Sequence, residues 1–100
     1  MTTIERALMT LRADETELVG RWKSIDGRMI GDEVSTRVET LVRDELKPIA
    51  VSADGWERLF EDPRDHRLWE LTYPLGETHG GGPPSLRVID KETVRRKYKL

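Results

Sequence analysis

A length of one hundred residues predicts one domain, residues 1–100. The chain has no cysteine, so its core forms without disulfides and is compatible with a reducing compartment. No apolar run exceeds three residues, which excludes a membrane-spanning helix, and charges at Glu5 and Arg6 interrupt any signal peptide, so we expect a cytoplasmic protein. The net charge of −2 combines −6 over residues 1–84 (11 basic, 17 acidic) with +4 over residues 85–100 (6 basic, 2 acidic), a balance that does not indicate a nucleic-acid binder.

The N-terminal part carries two helix-start patterns and one hairpin signal. Residues 2–5 and 14–17 both have the capping-box form Thr/Asp-x-x-Glu, which predicts a short helix near residues 3–11 and a further helical turn ending at Gly20. Asp26-Gly27 then lies between two short β-prone segments and is typical of a two-residue hairpin turn. We expect this hairpin at the edge of a sheet because its apolar residues alternate imperfectly.

A long helix is the clearest predicted element. It should begin after Asp32 and end near Pro48, which has no backbone N–H to donate to a helix. Charged residues away from the apolar stripe are expected to form a solvated face with local ion pairs. The stripe itself recurs at helical spacing and comprises Val34, Val38, Leu41, Val42, Leu46 and Ile49.

A hairpin should form the centre of the sheet. Asp62-Pro63-Arg64-Asp65 has the chemistry of a type I turn and leads into a strand over residues 67–73. Side chains alternate along a strand, so Trp69, Leu71 and Tyr73 share one face. This aromatic face should receive the long helix.

Shorter elements flank this hairpin. Residues 49–51 predict a strand before a turn over residues 52–55, and Leu86 and Val88 continue the alternation in a last strand. Asp90 has the form of an N-cap for a C-terminal helix. The sequence therefore predicts an α+β fold: a small antiparallel sheet of four or five strands with one long and one or two short helices packed mainly on one face.

The residue types offer little catalytic or metal-binding chemistry. The loop His79-Gly80-Gly81-Gly82 is similar to the oxyanion-hole loop of some esterases, but the chain has no Gly-x-Ser-x-Gly elbow and no catalytic triad. Neither His66 nor His79 has a partner at metal-ligand spacing. We expect no enzyme activity, no metal and no cofactor. The loop backbone has three readings: it receives an anion, it approaches another protein closely, or it is a plain chain reversal.

Glu70 is unusual because carboxylates are depleted from strands. Three interpretations remain open for it. The side chain is solvated, or it pairs with an arginine such as Arg58 or Arg87 across the sheet, or it presents its charge to a partner.

Several strings of this sequence form a recognisable pattern: Leu18-Val-Gly-Arg-Trp22, Asp26-Gly27, Asp32-Glu33 with Arg37 and Glu39, Trp56-Glu57, Asp62-Pro-Arg-Asp65, Leu68-Trp-Glu-Leu-Thr-Tyr-Pro74 and His79-Gly-Gly-Gly-Pro-Pro84. The pattern resembles the signature of the bacterial immunity protein 27 family, from about Leu18 to Tyr98. The last two strings are specific in combination. The loop 75–79 departs from the family pattern, as do Ser35, where members usually carry Cys, and Val38, where they usually carry Ile.

The resemblance implies a protein that binds and neutralises a cognate bacterial toxin without catalysis, by occluding the toxin's active site. An acidic inhibitor suits a basic toxin such as a nuclease through charge complementarity. We expect the toxin as the partner, with no nucleic acid and no membrane, and a monomer in the free state. The alternative from a different class is a small-ligand or anion-binding module that uses the backbone of residues 79–82 together with Arg37.

The predicted recognition surface lies around the loop that follows the strand of Glu70. Its candidate residues are Glu70, Tyr73, His79, Gly80, Gly81, Gly82 and Arg87, with Arg37 adjoining. In the competing interpretation, Tyr73 belongs to the core, Glu70 and Arg87 form an internal ion pair, and the loop is a spacer.

Overall fold

The computed structural model describes residues 10–74 and 82–100. Its elements are β1 (Glu17–Val19), β2 (Trp22–Ile25), β3 (Arg28–Gly31), α1 (Glu33–Thr40) continued by a π-helical turn (Leu41–Glu45), β4 (Lys47–Val51), β5 (Arg58–Glu61), β6 (Leu68–Thr72), β7 (Ser85–Val88) and α2 (Lys91–Tyr98). Five of the strands form an antiparallel sheet in the order β1, β7, β6, β5 and β4, while β2 and β3 form a separate two-stranded ribbon. The predicted α+β class and the antiparallel sheet are therefore confirmed.

The first face of the sheet packs against α1 and its π-helical turn. Alternation along β6 places Trp69 and Leu71 on this face, in the same buried cluster as Val38 and Leu41 of the long helix. The predicted contact between the aromatic face and the long helix is confirmed for these residues, whereas Tyr73 lies beyond the end of β6 and is exposed. The buried members of the cluster are Leu11, Leu18, Val38, Leu41, Leu46, Phe60, Trp69, Leu71 and Leu86.

The second face of the sheet is covered by α2, so the expectation that the helices pack mainly on one face is corrected. Val94 and Tyr98 of α2 form a second buried cluster with Leu59 of β5 and Ile89. Leu59 pairs in register with Glu70, which points away from Trp69, so this cluster lies opposite α1. The position of α2 on this face follows from the short link between β7 and α2. Ile89, one residue after the end of β7, is already part of the second cluster.

The long helix begins and ends as the sequence predicts. The carboxylate of Asp32 caps it by accepting the N–H of Ser35 at 2.9 Å. In the π-helical turn, the N–H of Leu46 donates to the carbonyl of Leu41 at 2.8 Å, and the helix stops before Pro48. Ile49 is wrongly assigned to the helix stripe, because it lies in β4 with its side chain exposed. No helix of the described ranges is long and apolar enough to cross a membrane.

The helical turn predicted to end at Gly20 is wrong, because residues 17–19 form β1 instead. The N–H of Gly20 donates to Pro84 at 3.0 Å, and the carbonyl of Thr16 accepts from Val88 at 2.9 Å. These bonds to β7 and to Pro84 just before it satisfy backbone groups that a helix would have paired within itself. The helix predicted near residues 3–11 lies almost wholly outside the described residues.

The predicted hairpins are confirmed, with one difference in placement. Asp26 and Gly27 have φ values of 50° and 78°, as a tight turn with two left-handed residues requires. The hairpin that they connect forms its own ribbon and does not extend an edge of the main sheet. The turn over residues 62–65 joins β5 to β6 and is closed by the N–H of Asp62, which donates to Arg67 at 2.9 Å.

Candidate functional site

A group of polar contacts surrounds the buried side chain of Glu70. Its side chain is fully buried between β6 and α2. Oε2 accepts the hydroxyl of Tyr98 at 2.8 Å and lies 2.7 Å from Nζ of Lys97. Oε1 accepts from Nη2 of Arg87 at 3.0 Å, across the β6–β7 pair. Lys97 also contacts Glu57 at 2.8 Å, so two acids and two bases compensate one another. We call these five side chains the Glu70 cluster.

The contacts keep the Glu70 cluster charged. Burial opposes ionisation of Glu70, but hydrogen bonds from Lys97, Tyr98 and Arg87 outweigh it and hold the pKa of Glu70 below its ordinary value. Burial also opposes the charged form of Lys97, yet the carboxylates of Glu57 and Glu70 raise its pKa. Burial and the neighbouring Glu70 carboxylate raise the pKa of Tyr98. At neutral pH Glu70 is therefore ionised, Lys97 is protonated and Tyr98 is a neutral phenol.

This arrangement fastens α2 to the sheet and leaves Glu70 no free oxygen for another molecule. Only Val94 and Tyr98 of the eight residues in α2 are buried, so apolar contact alone holds this helix weakly. The donors around Glu70 supply the remaining attachment. Of the three open interpretations of Glu70, the structure shows the ion pair with Arg87 and extends it to Lys97 and Tyr98.

The other predicted recognition residues are only partly brought together. Arg87 contacts Glu70 and keeps half of its side chain in solvent. Tyr73 is 39% exposed, just after β6. Gly82 has φ +70° and leads into Pro83 before β7. The predictions for His79, Gly80 and Gly81 lie outside the described residues.

Arg37 does not adjoin Glu70, because it lies on α1, on the opposite face of the sheet. Its guanidinium donates to both carboxylate oxygens of Glu15, each at 2.6 Å, and to the carbonyl of Thr10 at 2.8 Å. These hydrogen bonds lower the pKa of Glu15 to about 2, against an ordinary value of 4.5. Arg67 donates to the carbonyl of Glu15 at 2.6 Å as well, so the segment before β1 is held from both sides.

Among the residues that the structure describes, no three metal-ligating side chains lie close enough together to hold a metal ion. His66 is exposed, with Nδ1 3.4 Å from Glu61. It has φ +65° and follows the turn between β5 and β6, which agrees with its interpretation as a turn residue.

Sequence reasoning missed two groups of residues. The first group is Lys97 and Tyr98. A signal for it exists in the sequence, because Val94 and Tyr98 are four residues apart and therefore lie on the same side of α2, the side that faces the sheet. The second consists of exposed apolar side chains at two sites, which no sequence pattern distinguishes from buried ones. They are Ile25, Met29 and Ile30 on the ribbon, and Ile49, Val51 and Trp56 on and after β4.

Together the fold and these contacts define a small α+β protein whose buried charged groups hold its elements together. The profile of the Immunity protein 27 family matches residues 24–90, about two thirds of the chain. The protein belongs to this family, as the sequence resemblance predicted, and the family assignment supports an immunity function. No curated protein and no solved structure matches the chain significantly.

Proposed function

We propose that this protein binds a cognate bacterial toxin and neutralises it by occluding the toxin's active site, without catalysis of its own. The observation that carries the proposal is the match to the immunity protein family over residues 24–90, a range that includes most of the ribbon, the long helix and the strands from β4 to β7. A partner that must be recognised specifically is bound best by a rigid scaffold with fixed surface side chains.

The contacts of the charged residues favour binding over chemistry. Glu70 and Lys97 are engaged in fastening α2, and Glu15 and Arg37 in fastening the segment before β1. Glu15, Glu70 and Lys97 are each stabilised in their charged form by partners of opposite charge. A group that must exchange a proton in a reaction needs a pKa near the working pH, and the pKa values of Glu15 and Glu70 lie below their ordinary values.

The charge of the protein favours a basic toxin, of which a nuclease is one class. Residues 1–84 carry 17 acidic and 11 basic side chains. An acidic surface raises the rate at which a basic partner is encountered, and the effect weakens as salt rises. The proposal therefore predicts association with the toxin that slows with ionic strength.

The alternative anion-binding function receives no support from Arg37. Both terminal nitrogens of its guanidinium are already bound to Glu15 and Thr10. An anion would have to displace a carboxylate that is held by two short hydrogen bonds.

The experiment that tests the proposal starts from the gene beside this one, which the proposal predicts to encode a large secreted protein with a toxic C-terminal domain. Expression of that domain alone should arrest growth, and co-expression of this protein should restore it. The purified proteins should form a complex in a pull-down. A variant with an unfolded core, Val38→Asp, is the control and should restore nothing. If the folded wild-type protein neither binds this domain nor restores growth, the proposed function is wrong for that partner.

A further inference from the structure

Three apolar side chains are exposed together along β4 and the turn that follows it. Ile49, Val51 and Trp56 are 38%, 57% and 64% exposed. We call these three residues the β4 patch. Ile49 and Val51 also line a cleft of about 490 Å³ at this edge of the sheet. Its other lining residues are Val42, Arg43, Pro48, Ala50, Arg58, Leu59 and Phe60. Contiguous exposed apolar surface of this kind marks interaction sites in monomeric proteins.

The backbone of β4 is protected against the addition of another strand. β4 is an edge strand of the main sheet. It begins with Lys47 and Pro48, and its register with β5 shifts between Pro48 and Ala50, so that Ile49 has no partner. A lysine, a proline and a bulge are the features by which edge strands resist edge-to-edge pairing. A second copy of this chain therefore gains little by pairing here, and a partner must contact the side chains.

The turn that carries Trp56 is held in place before any partner arrives. The N–H of Gly55 donates to Ser52 at 2.9 Å, and the N–H of Ser52 donates to Glu57 at 2.8 Å. The carboxylate of Asp54 accepts the N–H of Trp56 itself at 2.9 Å. A turn whose backbone is already ordered loses little conformational entropy on binding, and exposed tryptophans often dominate the energy of protein interfaces.

The charges beside the β4 patch specify the chemistry of the partner. Lys47 and Arg58 are exposed and form no ion pair with any residue of the described ranges. Two acids beside Trp56 are engaged within the protein, since Glu57 contacts Lys97 at 2.8 Å and Asp54 accepts from the turn. Glu61, the register partner of Lys47, lies 3.4 Å from His66. The cations that remain available complement carboxylates at this point of the partner's surface, within a toxin whose overall charge is basic.

We propose that the β4 patch is the surface with which this protein contacts its toxin, and that it receives an apolar toxin side chain flanked by carboxylates. This inference rests on the proposed function and adds to it the location and the chemistry of the contact. It places the contact at the β4 edge of the sheet, away from the surface around Tyr73 and residues 79–82 that the sequence predicts.

The test is a calorimetric titration with the toxin domain encoded beside this gene, purified in a catalytically impaired form. Trp56→Ser should weaken the affinity at least about 30-fold, as for a central interface residue. The double variant Lys47→Glu/Arg58→Glu should weaken it about tenfold or more at low salt, and this difference should shrink at high salt. Two matched controls, Met29→Ser on the ribbon and Tyr73→Ser beside the loop, should bind within about threefold of the wild type.

Each variant alters exposed side chains, so a melting temperature close to that of the wild type shows that the fold is intact. If the wild type binds and Trp56→Ser binds equally well, the inference is wrong while the proposed function stands. If Tyr73→Ser loses affinity and Trp56→Ser does not, the contact lies at the surface predicted from the sequence. If the wild type sediments as a dimer that Trp56→Ser separates, a second copy of the chain occupies the patch and the inference is overturned. If the wild type does not bind, both proposals fail.

Discussion

The hydroxyl of Tyr98 donates to Oε2 of Glu70 at 2.8 Å, inside the interface between the C-terminal helix and the central strand of the sheet. A fully buried carboxylate is costly unless its lone pairs are filled, and here Tyr98, Lys97 and Arg87 fill them. The attachment of α2 therefore depends on the ionised form of a single glutamate.

Glu70→Gln should destabilise the protein clearly. The amide preserves the size of the side chain but removes the charge that compensates Lys97 and Arg87. Breaking a fully buried pair costs about 3–5 kcal/mol, and we expect about 2–3 kcal/mol because both cations are partly exposed and can be hydrated. The melting temperature should fall by roughly 10 °C or more.

Thermal and urea denaturation will measure this loss of stability. Glu92→Gln, at an exposed position of α2, removes the same charge without a buried partner and should change the free energy of unfolding by less than about 0.5 kcal/mol. A Glu70→Gln variant that melts together with Glu92→Gln would contradict the structural role of the Glu70 cluster.

Val38→Asp and Leu41→Asp should each unfold the domain. Both side chains are fully buried against the first face of the sheet, so each variant places an unpaired carboxylate in the apolar core. The cost of several kcal/mol is comparable with the total stability of about 5–15 kcal/mol that is typical of such domains. Circular dichroism will show the loss of a cooperative melt. Glu39→Asp introduces the same residue at an exposed position between them, and its melt should stay cooperative.

Acid should weaken the attachment of the segment before β1. The folded-state pKa of Glu15 is about 2, below its ordinary value of 4.5, because Arg37 hydrogen-bonds to the carboxylate. A depressed pKa means that the unfolded state binds more protons, so the contribution of Glu15 is present above pH 4.5 and is lost as the pH falls towards 2. This contribution amounts to at most about 3 kcal/mol.

Urea unfolding of the wild type and of Glu15→Gln between pH 2 and 7 will isolate this contribution. The stability difference between the two proteins should be largest near neutral pH and should shrink as the pH falls through the window given by the pKa of Glu15. Glu17→Gln, at a neighbouring exposed position, should run parallel to the wild type. A difference between Glu15→Gln and wild type that stays constant with pH would show that the carboxylate charge contributes nothing.

Gly20→Ala should be far more damaging than Gly27→Ala. A Cβ at Gly20 would lie 2.3 Å from the carbonyl oxygen of Pro84 and 2.5 Å from Oγ of Ser35, so the β1–β7 contact has to open. A Cβ at Gly27 meets nothing within 4 Å and costs only the strain of φ +78°, about 1 kcal/mol. The melting temperatures of the two variants will test this prediction. Equal decreases in melting temperature would show that the chain near Gly20 is packed less tightly than the structure indicates.

Local patterns in the sequence were sufficient to predict the helix starts, the helix end and the tight turn, because nearby residues determine them. Asp32 and Asp90 cap their helices with their own carboxylates, and Asp26-Gly27 turns the chain through dihedral angles that these two residues adopt at low cost. Pro48 ends the long helix because it has no N–H to donate. Each of these rules acts over a few residues and needs no tertiary contact.

The features that the sequence missed depend on contacts between distant parts of the chain. Residues 14–17 carry a helix-start pattern, but pairing with β7 makes residues 17–19 a strand. Likewise, the alternation of apolar residues along the strands predicted the class of fold. The side of the sheet on which α2 lies depends instead on the direction of the chain at Ile89.

In the candidate site, too, some features were predictable from the sequence and others depend on contacts between distant residues. The sequence by itself determined the family, because specific strings of residues carry the resemblance, and it singled out Glu70 as an unusual acid in a strand. Only the tertiary structure decided that Glu70 is buried, since burial depends on α2, which begins 21 residues later at Lys91. For the same reason, only the structure separates the exposed Trp56 from the buried Trp69: the two residues have the same chemistry, and the packing around each decides its exposure.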